Sequence, residues 1–280
     1  MSTPYARVTG DPAAFAPVAF PWLQRDPVLN SVLLSNVQGR IDGLLYDPAP
    51  PVFVSVHRGD EVVGVVACTA LRGVMLGGLD AELLPVVVAA VVDSGIKVKY
   101  VEGAPEVTTA FTAQYAGELG KSFVEDRWTR LHRLAKFTSL EAEGHARPAT
   151  DADLAAAAEM MAGFGEAIGG RIGVEEEQRW ARDRIRLGRL WVWERDGRVV
   201  SMASHNGGLF GAARIGAVYT PPKERGNGYA GAVTSHVTRE ILAAGDQACL
   251  FTDLANPTSN KIYAQIGYRT VIDFVRYELT

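Results

Sequence analysis

The chain has 280 residues, of which 48% are hydrophobic and 21% are charged, and its formal net charge is −4. This composition is typical of a folded globular protein and excludes a disordered chain. Because no basic excess is present, we expect neither nucleic acid nor a membrane surface as a partner. The length predicts two domains.

The N-terminal sequence MSTPYARVTGDP has no basic segment followed by an apolar one, so no signal peptide is expected. The longest apolar stretch, Leu83–Val92, is too short to span a bilayer. Cys68 and Cys249 both lie in apolar, strand-like runs, which indicates buried thiols rather than a disulfide framework. These features together predict a cytoplasmic protein.

Two β-hairpins are predicted, one in each half of the chain. Phe53–Ala70 alternates around Arg58-Gly59-Asp60, and Leu190–Ser204 alternates around Arg195-Asp196-Gly197. A turn of glycine and aspartate between alternating runs is a strong hairpin signal.

After each hairpin come a helical pattern, a strand, a second helix and a glycine that opens a last extended segment, at Gly120 and at Gly267. The shared order of elements predicts a duplication, with one domain over residues 1–140 and the other over 141–280. Only the second copy carries a glycine-rich loop between hairpin and helix. The first has VMLGGLDAELL there, so we interpret it as degenerate and without a phosphate loop.

Two helices are predicted at the start of the second half. Thr150 followed by Asp153 is the pattern of a helix N-cap with a carboxylate three residues on. A second helix is expected over Val174–Leu187, and its charged residues indicate a face exposed to solvent.

The glycine-rich loop lies in YTPPKERGNGYAGA, residues 219–232, and its letters GNGYAG fit the dinucleotide motif G-x-G-x-x-G. A Rossmann turn is tight and needs an acidic residue about 20 positions later. Here Pro221 and Pro222 separate strand from loop, and the acidic candidates Asp246 and Asp253 lie in a turn and inside a strand. These observations argue against a dinucleotide site.

The same loop is better explained as a cradle for pyrophosphate. Arg225 opens a run of unpaired backbone N–H groups before a helix expected over residues 228–243. Gly226 and Gly228 let a ligand approach the backbone closely, and a helix N-terminus favours anions.

At this point the sequence resembles the GCN5-related N-acetyltransferases, the GNAT superfamily. Their acyl-CoA signature has Gln or Arg, two residues, Gly, one residue, then Gly or Ala. Here the corresponding residues are Lys223, Gly226 and Gly228. Lysine at the first position departs from the pattern, but the family binds phosphate mostly through backbone amides. A second block, CLFTDLANPTSNKIYAQIGY, is similar to the family's strand-end Asn, helix Tyr and Gly-Phe/Tyr.

The resemblance implies a mixed α/β GNAT fold, with a central, mostly antiparallel, twisted sheet flanked by helices and two copies in tandem. It also implies acetyl-CoA as co-substrate, with contacts to the pantetheine arm from Asn256 and a proton donated to the leaving thiolate by Tyr263, the general acid. The residues expected to bind the co-substrate are Val218, Tyr219, Thr220, Arg225, Gly226, Asn227, Gly228, Tyr229, Ala230, Asn256, Asn260 and Tyr263.

The function that follows is transfer of an acetyl group to a primary amine, on a small molecule or a peptide, by direct attack. No metal is expected, since no metal-ligand spacing is present, and the oligomeric state is left open, with a homodimer as one alternative. The general base stays unassigned among His205, Asp253, Glu194 and water. The alternative is a non-catalytic sensor or scaffold that binds acyl-CoA.

Overall fold

The computed structural model describes residues 2–170 and 172–280. The chain forms two compact units. The first contains residues up to Leu131 together with 253–255 and 271–280, and the second contains 132–252 and 256–270.

The first unit has a mixed sheet with helices packed on it. Its elements are β1 (Tyr5–Thr9), α1 (Pro12–Leu23), α2 (Ser31–Ile41), β2 (Val52–Arg58), β3 (Glu61–Thr69), β4 (Gly73–Leu76), a 3-10 turn (Ala81–Leu83), α3 (Leu84–Asp93), β5 (Tyr100–Gly103), α4 (Pro105–Leu119) and the first part of β6 (Phe123–Leu134). Strands β1 to β5 are neighbours in chain order, antiparallel except for β4 and β5, which run parallel.

The second unit repeats this order. Its elements are β7 (His145–Pro148), a 3-10 turn (Asp151–Asp153), α5 (Leu154–Ala167), α6 (Val174–Arg186), β8 (Leu190–Arg195), β9 (Arg198–His205), β10 (Ala212–Tyr219), a 3-10 turn (Pro222–Glu224), α7 (Tyr229–Ala243), β11 (Gln247–Asp253), α8 (Pro257–Ile266) and the first part of β12 (Tyr268–Leu279). Strands β7 to β10 are antiparallel neighbours, and β10 and β11 run parallel.

The structure confirms the predicted mixed, mostly antiparallel sheet flanked by helices. Both hairpins form, with turns at Gly59-Asp60 and Asp196-Gly197. The capping box between Thr150 and Asp153 is also present, with both reciprocal hydrogen bonds made. Asp153 further binds Arg147, whose guanidinium lowers the pKa of that carboxyl to about 2.

The C-terminal strand pairs with a partner that local pattern could not reveal. Residues Val275 to Glu278 of β12 lie antiparallel to β5, so this segment belongs to the first unit although it follows the second half in sequence. Sequence pattern shows that a segment is extended, but pairing depends on distant residues. The functional division into domains 1–140 and 141–280 stays a prediction.

Each unit has its own apolar core. In the first, one face of β2 and β3 (Val54, Val56, Val66 and Cys68) packs with α3 and α4. In the second, Trp193, Val233, Leu250 and Tyr268 lie in the cluster between the sheet, α7 and α8, and a further cluster packs under α5 and α6. Both cysteines are buried, and neither forms a disulfide bond in the described part of the chain.

Candidate functional site

The glycine-rich loop connects the end of β10 to the start of α7. The amide of Arg225 donates to the carbonyl of Pro222 at 3.3 Å, so the expected run of unpaired N–H groups begins one residue later than the sequence suggested. In the described part of the chain, no hydrogen bond of the amides from Gly226 to Ala230 is seen, and no side chain caps α7 at Gly228.

Both loop glycines adopt conformations that favour glycine. Gly226 has φ +85° and Gly228 has φ +81°, in the region where other residues are strained. A Cβ at Gly226 would meet no described atom within 4 Å, and one at Gly228 would lie 3.6 Å from the Cβ of Ala142. The loop surface is therefore open, as close approach by a large anion requires.

Gly231, the last glycine of the motif, is explained by close packing and not by an open loop surface. A Cβ there would lie 3.0 Å from a methyl carbon of Leu140 and 3.5 Å from Ile262. It allows α7 to pack closely inside the unit, so the dinucleotide-like spacing of the three glycines has no single function.

Arg225 is the cation of the loop. Its Nε donates to the carbonyl of Thr220 at 3.1 Å, and its guanidinium lies 6.0 Å from the centre of the Tyr219 ring. The side chain is thus held over the end of β10 while the residue stays exposed. Lys223 and Asn227 are exposed beside it.

Strand β10 carries a bulge just before the loop. Gly216 pairs with Ser204, but the next pair joins Tyr219 to Met202. Three steps on β10 therefore match two on β9. Ala217 takes a positive φ of 49° within this bulge, a strain that costs on the order of 1 kcal/mol or more. Bulges of this kind redirect backbone groups and are frequent next to active sites.

The bulge lies where β10 and β11 stop pairing. The described pairs between them run from Ala212 with Gln247 to Ile215 with Leu250, although both strands continue beyond. The carboxyl ends of these parallel strands therefore part, and Val218 and Tyr219 lie on β10 beyond the last of these pairs.

Two buried serines hold the bulge. Ser204 Oγ donates to the carbonyl of Gly216 at 3.0 Å, and Ser201 Oγ donates to the carbonyl of Tyr219 at 3.0 Å. These bonds satisfy carbonyls that the broken ladder would leave unpaired. Sequence reasoning missed both serines, since small polar residues on a strand are not distinctive.

The second block of the resemblance forms the start of α8. Asn256 is its N-cap and accepts the amide of Ser259 at 3.1 Å. Asn260 donates through Nδ2 to the carbonyl of Asn256 at 2.8 Å and accepts from Thr252 Oγ1 at 2.7 Å. These bonds show both asparagines ordering the first turn of the helix.

A buried histidine extends this network. His132 Nε2 lies 3.1 Å from Thr252 Oγ1. Because the only hydroxyl proton of Thr252 points to Asn260, Nε2 of His132 must be the donor. No sequence pattern distinguishes His132 from the other four scattered histidines.

Tyr263 lies on α8 with its ring buried against Tyr268, the centroids 6.3 Å apart. Burial raises the pKa of Tyr263 well above the ordinary tyrosine value, so the phenol stays protonated at neutral pH. Within the described residues its hydroxyl makes no hydrogen bond, whereas the Tyr268 hydroxyl bonds Thr238 Oγ1 at 2.8 Å.

Other predicted site residues turn their side chains inward. Val218 packs on the core of the second unit, and the Tyr219 ring occupies the space that Gly163 leaves on α5. Tyr229 is buried, and its hydroxyl accepts from Arg195 at 2.8 Å. These three residues can offer backbone groups to a ligand, but their side chains are structural.

The candidate bases have structural partners. Glu194 accepts from Arg147 at 2.6 Å, and Asp253 accepts the amide of Ala255 at 2.7 Å. The His205 ring contacts the carbonyl of Asn206 at 3.0 Å. Burial, aided by nearby Arg189 and Arg184, lowers the pKa of His205.

Residues 2–170 and 172–280 contain no group of three or more His, Cys, Asp or Glu side chains arranged to hold a metal ion. No helix among them has both the length and the apolar content needed to cross a membrane. Trp191 and Trp193 share one strand face, which packs on the core of the second unit.

Comparison with known proteins agrees with this geometry. Residues 198–277, which include the loop and α8, match the family described as FR47-like protein. A search of curated proteins gave no match.

Solved structures share the fold over nearly the whole chain at low identity. A GCN5-related N-acetyltransferase from Sphaerobacter thermophilus has a TM-score of 0.63 and 15% identity, with 98% of this chain and 95% of that one covered. A tandem GNAT protein from the clavulanic acid biosynthesis pathway has a TM-score of 0.61 and 12% identity, covering 99% and 98%. A Drosophila protein has a TM-score of 0.67 and 13% identity, covering 99% of each chain.

The sequence match spans the loop and α8, and the fold is shared across both units. The chain therefore has the fold of these solved structures, and its residues 198–277 are similar to the FR47-like family.

Proposed function

We propose that the second unit is an N-acetyltransferase that moves an acetyl group from acetyl-CoA to a primary amine on a small molecule or a peptide. The observation that carries the proposal is the opening between β10 and β11, with the bulge at Ala217 on one side and the loop beyond it. It places the unpaired amides of the loop, which suit an anion, next to a strand end that has left its parallel neighbour.

The residues present fit coenzyme A. The unpaired amides from Gly226 to Ala230 and the exposed Arg225 suit a pyrophosphate group. Asn256 and Asn260 would bind the pantetheine arm through groups not used in ordering α8. When bound, acetyl-CoA supplies the acetyl group as a thioester.

The chain's own groups then have defined tasks. The amide of Val218 or Tyr219 donates to the carbonyl oxygen of the acetyl group as the amine attacks, and one such donor contributes about 2.7–4 kcal/mol. Tyr263, protonated because burial raises its pKa, gives its proton to the departing sulfur. The group that deprotonates the amine is not assigned.

The direct test is to incubate the protein with acetyl-CoA and a panel of primary amines, including a diamine, an amino sugar, an amino acid and a short peptide. Release of free thiol and the mass of the product are followed. We expect acetylation of at least one amine. Failure to bind CoA in a parallel titration would refute the proposal.

The second candidate is a non-catalytic sensor of acyl-CoA. It is favoured by the structural hydrogen bonds that Glu194, Asp253 and His205 make, which leave no base assigned in the site. Tight CoA binding with no turnover on any amine would select the sensor, and turnover would exclude it.

A further inference from the structure

A second cleft, of about 370 Å³, lies wholly in the first unit, between α1 and the strands β1 to β3. Its volume falls within the range of small-molecule pockets. None of its lining residues belongs to the acetyl-transfer site described above, so the cleft needs a separate explanation.

One side of the cleft is rigid and apolar. Pro17 and Pro21 stand one turn apart on the same face of α1, next to Trp22. Proline inside a helix removes a hydrogen bond and is costly, yet two occur together on the face that lines the cleft. They leave an exposed apolar wall that a flat hydrocarbon group can cover.

The floor holds a buried histidine. His57 is only 3% exposed, and its Nε2 lies 2.9 Å from Ser55 Oγ. The ring of Tyr5 stacks on it with centroids 5.3 Å apart. Burial first, and then the charge of Arg7, lower the pKa of His57, so the ring is neutral at pH 7.

The charged groups that line the cleft differ in the ion pairs they form. Arg7 donates to the Tyr5 hydroxyl at 3.0 Å, and within residues 2–170 and 172–280 no ion pair of Arg7 is found. Arg25 is 3.6 Å from Glu61, but both side chains are more than 60% exposed, so the pair is weak. Asp60 contributes one carboxylate to the lining.

We propose that this cleft binds a small organic monocarboxylate with an apolar body. The carboxylate lies against the Arg7 guanidinium, with Arg25 within the same lining, and the apolar body covers Pro17, Pro21 and Trp22. The planar guanidinium suits a carboxylate. The carboxylates of Asp60 and Glu61 disfavour a dianion such as phosphate.

The test uses the full chain and isothermal titration with 3-phenylpropanoate. Three probes separate the contributions: 3-phenylpropanamide lacks the charge, propanoate lacks the apolar body, and inorganic phosphate is a dianion. We expect one saturable site for 3-phenylpropanoate with a Kd of about 1 mM or tighter, and binding at least about tenfold weaker for the other probes.

Variants locate the site. Arg7→Met should weaken 3-phenylpropanoate binding by about tenfold or more, Arg25→Met should weaken it less, and Lys121→Met, which removes an exposed cation elsewhere in the first unit, should have no effect. Circular dichroism checks that each variant is folded. Absence of saturable binding at about 10 mM, equal binding of the amide or phosphate, or full binding by folded Arg7→Met would overturn the proposal.

Discussion

The two units contain the same sequence of elements around their parallel strand pair, yet the connection after the first strand of that pair differs completely. In the second unit, β10 is bulged and leads into an exposed loop of glycines and Arg225. In the first unit, all four residues of β4 pair with β3 without a register shift. The Gly77 amide then donates back to Val65 at 3.1 Å.

The two connections also differ where the following helices, α3 and α7, begin. Leu79 and Leu83 of the first unit are buried in its core, and Pro85 removes an amide donor at the beginning of α3. The loop after β10 is exposed from Arg225 to Gly228, whereas Leu79 and Leu83 anchor the corresponding connection of the first unit in its core. The comparison teaches that an anion cradle needs unpaired backbone donors on a segment that core packing leaves exposed.

The largest expected effect comes from Gly228→Asp. The substitution puts a carboxylate, and a strained positive φ, at the proposed pyrophosphate position. We expect CoA affinity to fall by several kcal/mol, on the order of 1000-fold, as measured by isothermal titration.

Gly245→Asp is the matched control for that variant. Gly245 also has a positive φ of 84° and open space around it, at the other end of α7. It should bind CoA normally. Equal loss in both variants would mean that strain, and not the cradle, explains the result.

Leu79→Ala tests whether the connection between β4 and α3 is part of the core of the first unit. Removing this buried side chain should lower the free energy of unfolding by about 2–4 kcal/mol, measured by urea denaturation followed by circular dichroism. Lys223→Ala, in the exposed loop of the second unit, should change it by less than about 0.5 kcal/mol. Similar effects at the two positions would remove the contrast between the loops.

Tyr263→Phe should lower kcat by about 100-fold with little change in KM, because the general acid is lost. Tyr268→Phe is the control: its hydroxyl is buried nearby but bonded to Thr238, so it should cost about 1 kcal/mol of stability and little activity. Since the pKa of Tyr263 is raised, any loss of kcat from its ionisation must lie above pH 10 in a pH–rate profile. An unchanged kcat in Tyr263→Phe would exclude it as the acid.

Arg225→Met should have the smallest effect. We expect CoA to bind about tenfold more weakly, with a weaker dependence on salt, since one exposed charge–phosphate contact is lost while the amides remain. Lys223→Met should change affinity by less than about twofold if the backbone dominates binding. A larger loss in Lys223→Met than in Arg225→Met would reverse the roles given to these two cations.

The sequence alone predicted features whose causes are local. The hairpin turns and the Thr150 capping box follow from residues a few positions apart. The loop glycines were also recognisable because positive φ favours glycine.

Only tertiary structure decided the features that depend on distant partners. The strained Ala217, the serines that hold the bulge and the parting of β10 from β11 follow from strand register, which no short pattern encodes. The pairing of β12 with β5 and the burial of His57 have the same origin. Local sequence thus determined where a phosphate cradle could form. Long-range packing decided which backbone groups there stay unpaired and can bind an anion.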